Sequence, residues 1–235
     1  MAGTDSNLFE SEKTTRKRRI DPRLKKLGWT IVAYQLGLDT SLLIHHAVEE
    51  YPTENGPSDY ALFVDGKLIG ILEAKKVTVA TLNTLEQAKR YAKGLVHSIG
   101  TWNGYMVPFL YSTNGELISF LDVRRSSNLS RSLAEFHTPA ALKELFNRNT
   151  DVTFKRLQET PNDGDFMRPY QKKAVEAIEN SIFDGKRKML VAMATGTGKT
   201  FMAVNSVYRL LKSGVAKRIL FLVDRIFPRR WGRFL

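Results

Sequence analysis

The sequence predicts an α/β chain in two parts: a mixed sheet flanked by helices, then the beginning of a P-loop domain. First, Asp65-Gly66 and Asn114-Gly115 each stand between β-rich runs, as the residues of tight hairpin turns do. Second, helical periodicity from about Thr84 to Val96 separates the two hairpins, so at least one helix covers the sheet. Third, Met189-Leu190-Val191, a Gly-rich loop and a helical run from Lys199 to Leu211 follow one another as strand, loop and helix.

At the N-terminus a helix is expected to start near Ser6 to Glu10 and to pass through Glu12, Arg16 and Ile20 until Pro22 interrupts it. Asp21-Pro22 then begins a second helix, with Leu24 and Leu27 on one face and Gly28 as its stop. Trp29 to Gln35 reads as extended, and the stretch holding His45, His46, Glu49 and Glu50 as loop-rich. Adjacent side chains point apart on a regular element, so the His pair reads as structural rather than metal-binding. Tyr60 to Val64 and Lys67 to Ala74 flank Asp65-Gly66. The second of these runs carries Leu68, Ile69, Ile71 and Leu72 on both faces and is a central strand. Asn114-Gly115 joins Met106 to Ser112 with Glu116 to Leu121. Thr138 caps a further helix that Pro139 opens. Beyond Phe146 the polar stretches Asn147 to Thr150 and Glu159 to Gly164 mark a boundary. They divide the chain into a first domain over 1–150, a linker over 151–165 and a second domain over 166–235.

The chain has 235 residues, with 36 Lys and Arg against 24 Asp and Glu, a formal charge of +12 that favours polyanionic partners. It has no cysteine, which excludes disulfides and thiolate metal sites and fits a reducing compartment. Apolar runs such as Ile219 to Val223 fall far short of the about 20 residues that span a bilayer. The charged run Lys13 to Arg19 also lacks the layout of a signal peptide. A cytoplasmic protein without a membrane partner is expected.

Two groups of residues carry chemistry. Glu73 and Lys75 lie two apart, so on a strand they share a face at the end of a buried run, where ionisable groups are costly unless they bind each other or a ligand. With Asp59, Glu73 offers hard oxygen donors suited to magnesium, and Lys75 can offset charge developing on a phosphate. A surface Glu-Lys pair is the plainer alternative. A plain two-residue turn at Asp65-Gly66 would place Asp59 opposite Leu72 and turn Glu73 to the other face. A shared site therefore requires an odd-length loop or a β-bulge between them. Gln87 and Tyr91 are spaced to share a helix face and can reach a phosphate or base; packing, with Thr84 and Gln87 as a capping box, is the alternative. In the second group, amides around Thr195, Gly196, Thr197 and Gly198 can cradle phosphates at a helix N-terminus. Lys199 reaches the β and γ phosphates of ATP, and Thr200 ligates its magnesium.

Ser58-Asp59, Glu73-Ala74-Lys75 and Gln87-Ala88-Lys89-Arg90-Tyr91 together resemble the PD-(D/E)xK nucleases in their RecB-like branch. The resemblance implies a restriction-endonuclease-like fold in which Asp59 and Glu73 bind metal, Lys75 is the catalytic lysine and Glu12, from the first helix, supports the metal. Pro57 lies two residues before Asp59 rather than next to it. Ala194-Thr195-Gly196-Thr197-Gly198-Lys199-Thr200 resembles the P-loop of superfamily 2 helicases and translocases, with Met193 where the general pattern has its first glycine. Arg168-Pro169-Tyr170-Gln171 resembles their Q motif, which implies that Gln171 reads adenine; a plain helix start at Pro169 is the alternative. Nuclease first and RecA-like motor second resemble the N-terminal part of the restriction subunits of type I restriction enzymes, a likeness that includes Phe136 to Pro139 and Ile219 to Arg225.

That family implies cutting of double-stranded DNA with magnesium and ATP, in complex with methylation and specificity subunits. An inactive DNA-binding or assembly fragment and a repair nuclease-helicase are the other readings. After Arg225 the likeness fails: Ile226 to Leu235 replace an expected amphipathic helix, as a frameshift or truncated gene would produce; a natural short product is the alternative. The residues after Val223 hold neither an acidic Walker B strand nor a second lobe's arginine, so this chain alone is expected to be inactive as an ATPase.

Overall fold

A computed structural model describes residues 10–78, 85–95, 98–162 and 166–222 and divides the chain into two compact units, Met1–Arg148 and Asn149–Leu235. In the first unit, α1 (Glu12–Thr15) is capped by Ser11, whose Oγ accepts from the Thr14 amide at 3.1 Å. The helix therefore starts at Glu12, later than its periodicity implies; residues 1–9 lie outside the described residues. Pro22 does not break the run. Arg16–Ile20 form a π turn that leads directly into α2 (Asp21–Lys26), with Pro22 in its first turn. Gly28, with φ of 90°, ends α2 as expected.

The sheet has seven strands in sequential order: β1 (Thr30–Ala33), β2 (His45–Tyr51), β3 (Ser58–Val64), β4 (Lys67–Ala74), β5 (Phe109–Thr113), β6 (Ile118–Asp122) and β7 (Arg131–Leu133). It is mixed: β1 with β2 and β4 with β5 are parallel, and the other neighbours antiparallel. β2 corrects the loop-rich reading of 45–50: these residues pair with β1 on one side and with β3 on the other, and Ala47 and Val48 between the His and Glu pairs are buried. Two cores cover the two faces. One gathers Ile20, Leu24, Tyr60, Leu62, Leu72, Tyr111 and Leu142; the other gathers Ala61, Phe63, Ile71 and Leu110 with Leu85, Ala88 and Tyr91 of α3 (Leu85–Lys93). α4 (Pro139–Asn147) begins as read, with Thr138 Oγ1 accepting from the Ala141 amide at 3.1 Å. Thr84 and Val96, expected at the ends of α3, lie outside the described residues.

The register of β3 against β4 decides the site. Asp65 and Gly66 both have positive φ, 50° and 73°, as a two-residue turn of twisted strands requires. Val64 pairs with Lys67 and Phe63 with Leu68, but Leu62 pairs with Gly70, which leaves Ile69 as the extra residue of a β-bulge. Tyr60 then pairs with Leu72, and the next opposed positions are Asp59 and Glu73. The bulge required by a shared site is present.

The second unit differs from expectation. Residues 151–165, read as a linker, contain most of α5 (Thr150–Glu159), capped by the Asn149 side chain at the Val152 amide at 3.1 Å. α6 (Pro169–Phe183) and α7 (Lys199–Ser213) follow, with Met167, Val175 and Met202 as a small core. Arg209 joins them: it pairs with Glu179 at 2.6 Å and donates to the carbonyls of Thr160 and Pro161 at 2.9 and 2.7 Å. Among the described residues this unit has no strand. Met189 to Val191, expected as a buried strand, are exposed, Leu190 to 94%, and Leu220 and Leu222 of the expected Ile219–Val223 strand are exposed too. A parallel strand lacks backbone partners and covered faces without its neighbours. Residues 223–235, including the segment after Arg225, lie outside the described residues.

Gly66→Ala is expected to lower stability by about 1 kcal/mol or more in urea denaturation, through strain at positive φ. The new Cβ would also stand 3.1 Å from the Ser41 Cα.

Candidate active site

The register brings three carboxylates into line. Asp59 lies opposite Glu73 on β4, and the pairs Glu49 with Tyr60 and Tyr51 with Ser58 bracket Glu50 opposite Asp59 on β2. Like charges directly opposed on neighbouring strands repel. Two basic side chains offset them. Lys75, just past β4, places Nζ 2.8 Å from Glu73 Oε1 and 3.5 Å from Glu12 Oε1. Arg16, from the π turn, donates through Nη1 to Asp59 Oδ1 at 2.7 Å and to Glu50 Oε1, and through Nη2 to Glu49 Oε1 at 3.2 Å. The other Asp59 oxygen accepts the Ala74 amide at 2.7 Å. Behind them Lys17 bridges Glu49 and Asp21 at 2.6 and 3.1 Å, and Tyr60 Oη donates to Asp21 Oδ1 at 2.5 Å.

The pKa shifts follow this crowding. Burial raises the Asp59 pKa from its ordinary value, against the Ala74 amide and Arg16. Glu73 rises further, to about 7, through burial and then the charge of Asp59, with Lys75 opposing. Burial works against the Lys75 ammonium, but Glu73 and Glu12 outweigh it and its pKa is raised. Burial pushes Glu49 up, yet Lys17 and Arg16 prevail and hold it low.

The fold family implies a divalent cation, and the donors partly fit one. Glu73 Oε2 is buried with no hydrogen-bond partner, beside a second carboxylate that repels it, and such a pair of hard oxygen donors suits a divalent cation. The fit extends to Asp59 and Glu73. Among the described residues no three of His, Cys, Asp and Glu are grouped to hold a metal ion, and Glu12 meets the centre through Lys75. Gln87 donates to Tyr91 Oη at 3.0 Å, and the Tyr91 ring packs in the second core, so this pair is engaged within its own helix.

Arg16 and Glu50 were not among the residues read as functional. The spacing of Glu12 and Arg16 puts them on one helix face, a signal for the first. Glu50 carries none, because its place depends on strand register and on a φ of 53°.

In the second unit the Gly-rich loop has the backbone its sequence implies. Gly196 and Gly198 have φ of 78° and 82°, and Gly198 precedes the first turn of α7. Lys199 Nζ donates to the carbonyls of Met193 and Ala194 at 3.0 and 2.9 Å, and Thr197 Oγ1 to that of Ala194 at 2.7 Å. Thr195 and Thr200 are exposed. Gln171 is buried: its Oε1 accepts the Arg168 amide at 2.9 Å as a helix cap, and its Nε2 donates to the Thr197 carbonyl at 2.8 Å. A Cβ on Gly198 would meet that amide nitrogen at 2.4 Å. The helix-start reading of Gln171 is thus realised together with a direct tie to the loop.

The family model described as the second domain of the type I restriction enzyme EcoKI endonuclease subunit matches residues 30–146. The type III restriction enzyme res subunit model matches 166–227. The chain belongs to the type I restriction endonuclease subunits. It is 32% identical to the EcoKI endonuclease subunit of Escherichia coli K12 over 93% of this chain and 23% of that protein. It is 29% identical to the EcoAI endonuclease subunit of Escherichia coli over 94% of this chain and 27% of that protein. An HsdR fragment of a type I restriction enzyme from Vibrio vulnificus YJ016 aligns at 26% identity and a TM-score of 0.42, over 86% of this chain and 38% of that one. The chain thus spans about a quarter of the length of these curated subunits. No helix among the described residues is long and apolar enough to cross a membrane.

An acid whose folded pKa lies above its unfolded one holds its proton more tightly in the native state. It favours folding at low pH, and that advantage is lost as pH rises towards about 7. The stability of Glu73→Gln relative to wild type, measured by urea denaturation in chelator, is therefore expected to increase by roughly 1–3 kcal/mol between about pH 5 and about pH 8.

Proposed function

We propose that the first unit is the magnesium-dependent endonuclease of a type I restriction system, cutting double-stranded DNA, and that the intact protein couples this to ATP-driven translocation through the motor that the second unit begins. On this reading the nuclease domain covers 1–150 and the motor part 166–235. The observation that carries it is the bulge that sets Asp59 directly opposite Glu73, with Lys75 2.8 Å from Glu73. Asp59 and Glu73 would hold the cation, supported by Glu12. Magnesium, when bound, supplies Lewis acidity at the scissile phosphate. Lys75 keeps three N–H donors at the centre, and its raised pKa keeps it charged to offset negative charge gathering on the phosphate. Gln87 and Tyr91 would offer an amide and a phenol from α3 to the DNA only by giving up the hydrogen bond they make to each other. The formal charge of +12 favours that partner. Methylation and specificity subunits would supply target choice. ATP would lie on the amides of Thr195 to Gly198, with Lys199 leaving its two carbonyls for the phosphates, Thr200 on magnesium and Gln171 at the adenine.

In complex with methylation and specificity subunits, Lys75→Ala is expected to abolish magnesium-dependent cutting of supercoiled plasmid while DNA retention in gel shifts stays near wild type. Full cutting by that variant removes the nuclease reading, and a wild-type complex that binds DNA without cutting supports a binding or assembly fragment instead.

The second unit alone is proposed to be inactive as an ATPase, because the described residues supply a loop without the strands that position it. The purified chain with ATP, magnesium and DNA should release no phosphate above background. DNA-stimulated release that disappears in Lys199→Ala overturns this.

A further inference from the structure

Arg16 is placed to act on the nuclease centre, and its contacts are those of a counter-ion. One nitrogen, Nη1, stands between carboxylates of two neighbouring strands, Glu50 and Asp59, at the position where opposed negative charges need a cation between them. The side chain is 9% exposed, its guanidinium lies over the Tyr60 ring at 5.2 Å, and Nη2 is drawn to Glu49. Its Nε is buried with no hydrogen-bond partner, so the geometry favours charge compensation by the two Nη atoms over full use of the donors. Asp59 thereby has one oxygen on Arg16 and the other on the Ala74 amide. Lys75 meets Oε1 of Glu73 and leaves Oε2 without a partner. Each carboxylate of the opposed pair thus has a basic partner from within the chain, and that of Asp59 is the more complete.

We propose that Arg16 is the resident counter-ion of Asp59, a positioning residue that a divalent cation must compete with to bind the centre. The proposal rests on the nuclease reading above. A cation held by Asp59 and Glu73 would lie within a few ångströms of the guanidinium, where two positive charges oppose each other strongly in a part-buried setting. Arg16 holds the acidic row together before metal arrives and weakens metal binding once it does. A purely structural clamp would affect stability but would not weaken the metal.

Calorimetric titration of the full chain with manganese tests this. Wild type should bind, and Glu73→Gln should lose that binding; if wild type shows no binding that depends on Glu73, the metal-site reading fails, independently of Arg16. Given such binding, Arg16→Met should bind roughly tenfold more tightly or better, whereas Arg16→Lys, which keeps the charge, should stay within about threefold of wild type. Unchanged or weaker binding by a folded Arg16→Met overturns the proposal, as does tightening by Arg16→Lys equal to that of Arg16→Met. Should Arg16→Met fail to fold, nitrogen NMR of the wild-type Arg16 side chain, identified by its absence in Arg16→Lys, decides: a shift that saturates with magnesium occupancy is expected, and an unmoved signal at saturation overturns the proposal.

Discussion

Placing Asp59 and Glu73 opposite each other, with Glu50 beyond, is unfavourable in a sheet, and much of the first unit is organised around it. The bulge at Ile69 creates the opposition, since without the extra residue Glu73 would face the other way. The helical run before the sheet then supplies compensation through Arg16 and Lys17 of its π turn. What compensation remains incomplete shows in Glu73, whose pKa is pushed to about 7 and whose Oε2 has no partner. Buried charge left in this condition is a feature of sites that bind something.

The π turn follows from the same arrangement. Wider than an α-helical turn, it carries the chain into Pro22 without a break, so the residues on either side of the proline belong to one continuous support. Glu12 at its start meets Lys75, and Arg16 one turn later meets Asp59. One short helical segment thus touches both halves of the carboxylate pair.

The second unit shows which parts of a nucleotide-binding loop are local. Positive φ at two glycines and the start of α7 after Gly198 need only neighbouring residues, and they form; the tie from Gln171 to Thr197 adds only one contact from α6. Strands need partners on either side, and Leu190, Leu220 and Leu222 stand uncovered. Arg209 and the small core of Met167, Val175 and Met202 hold the three helices without a sheet.

Features set by neighbouring residues were legible in the sequence. They include the Asp65-Gly66 and Asn114-Gly115 turns, the Thr138 cap, the Gly28 stop and the need for a bulge between Asp59 and Glu73. Each rests on backbone preference or on the two-residue period of a strand, which short segments carry by themselves. Three readings depended on more. β2 looked loop-rich because its charges are balanced by Arg16 and Lys17 from another element. The proline seemed a break because a π turn leaves no mark in composition. The strand at Met189 to Val191 was inferred from an apolar run whose burial requires neighbours. Which residue supplies the bulge, that Glu50 joins the acidic row, and that Arg16 rather than a third carboxylate meets Asp59 were decided by tertiary structure alone. They are facts of register and long-range charge pairing, where side chains distant in sequence settle which conformation is lowest in free energy.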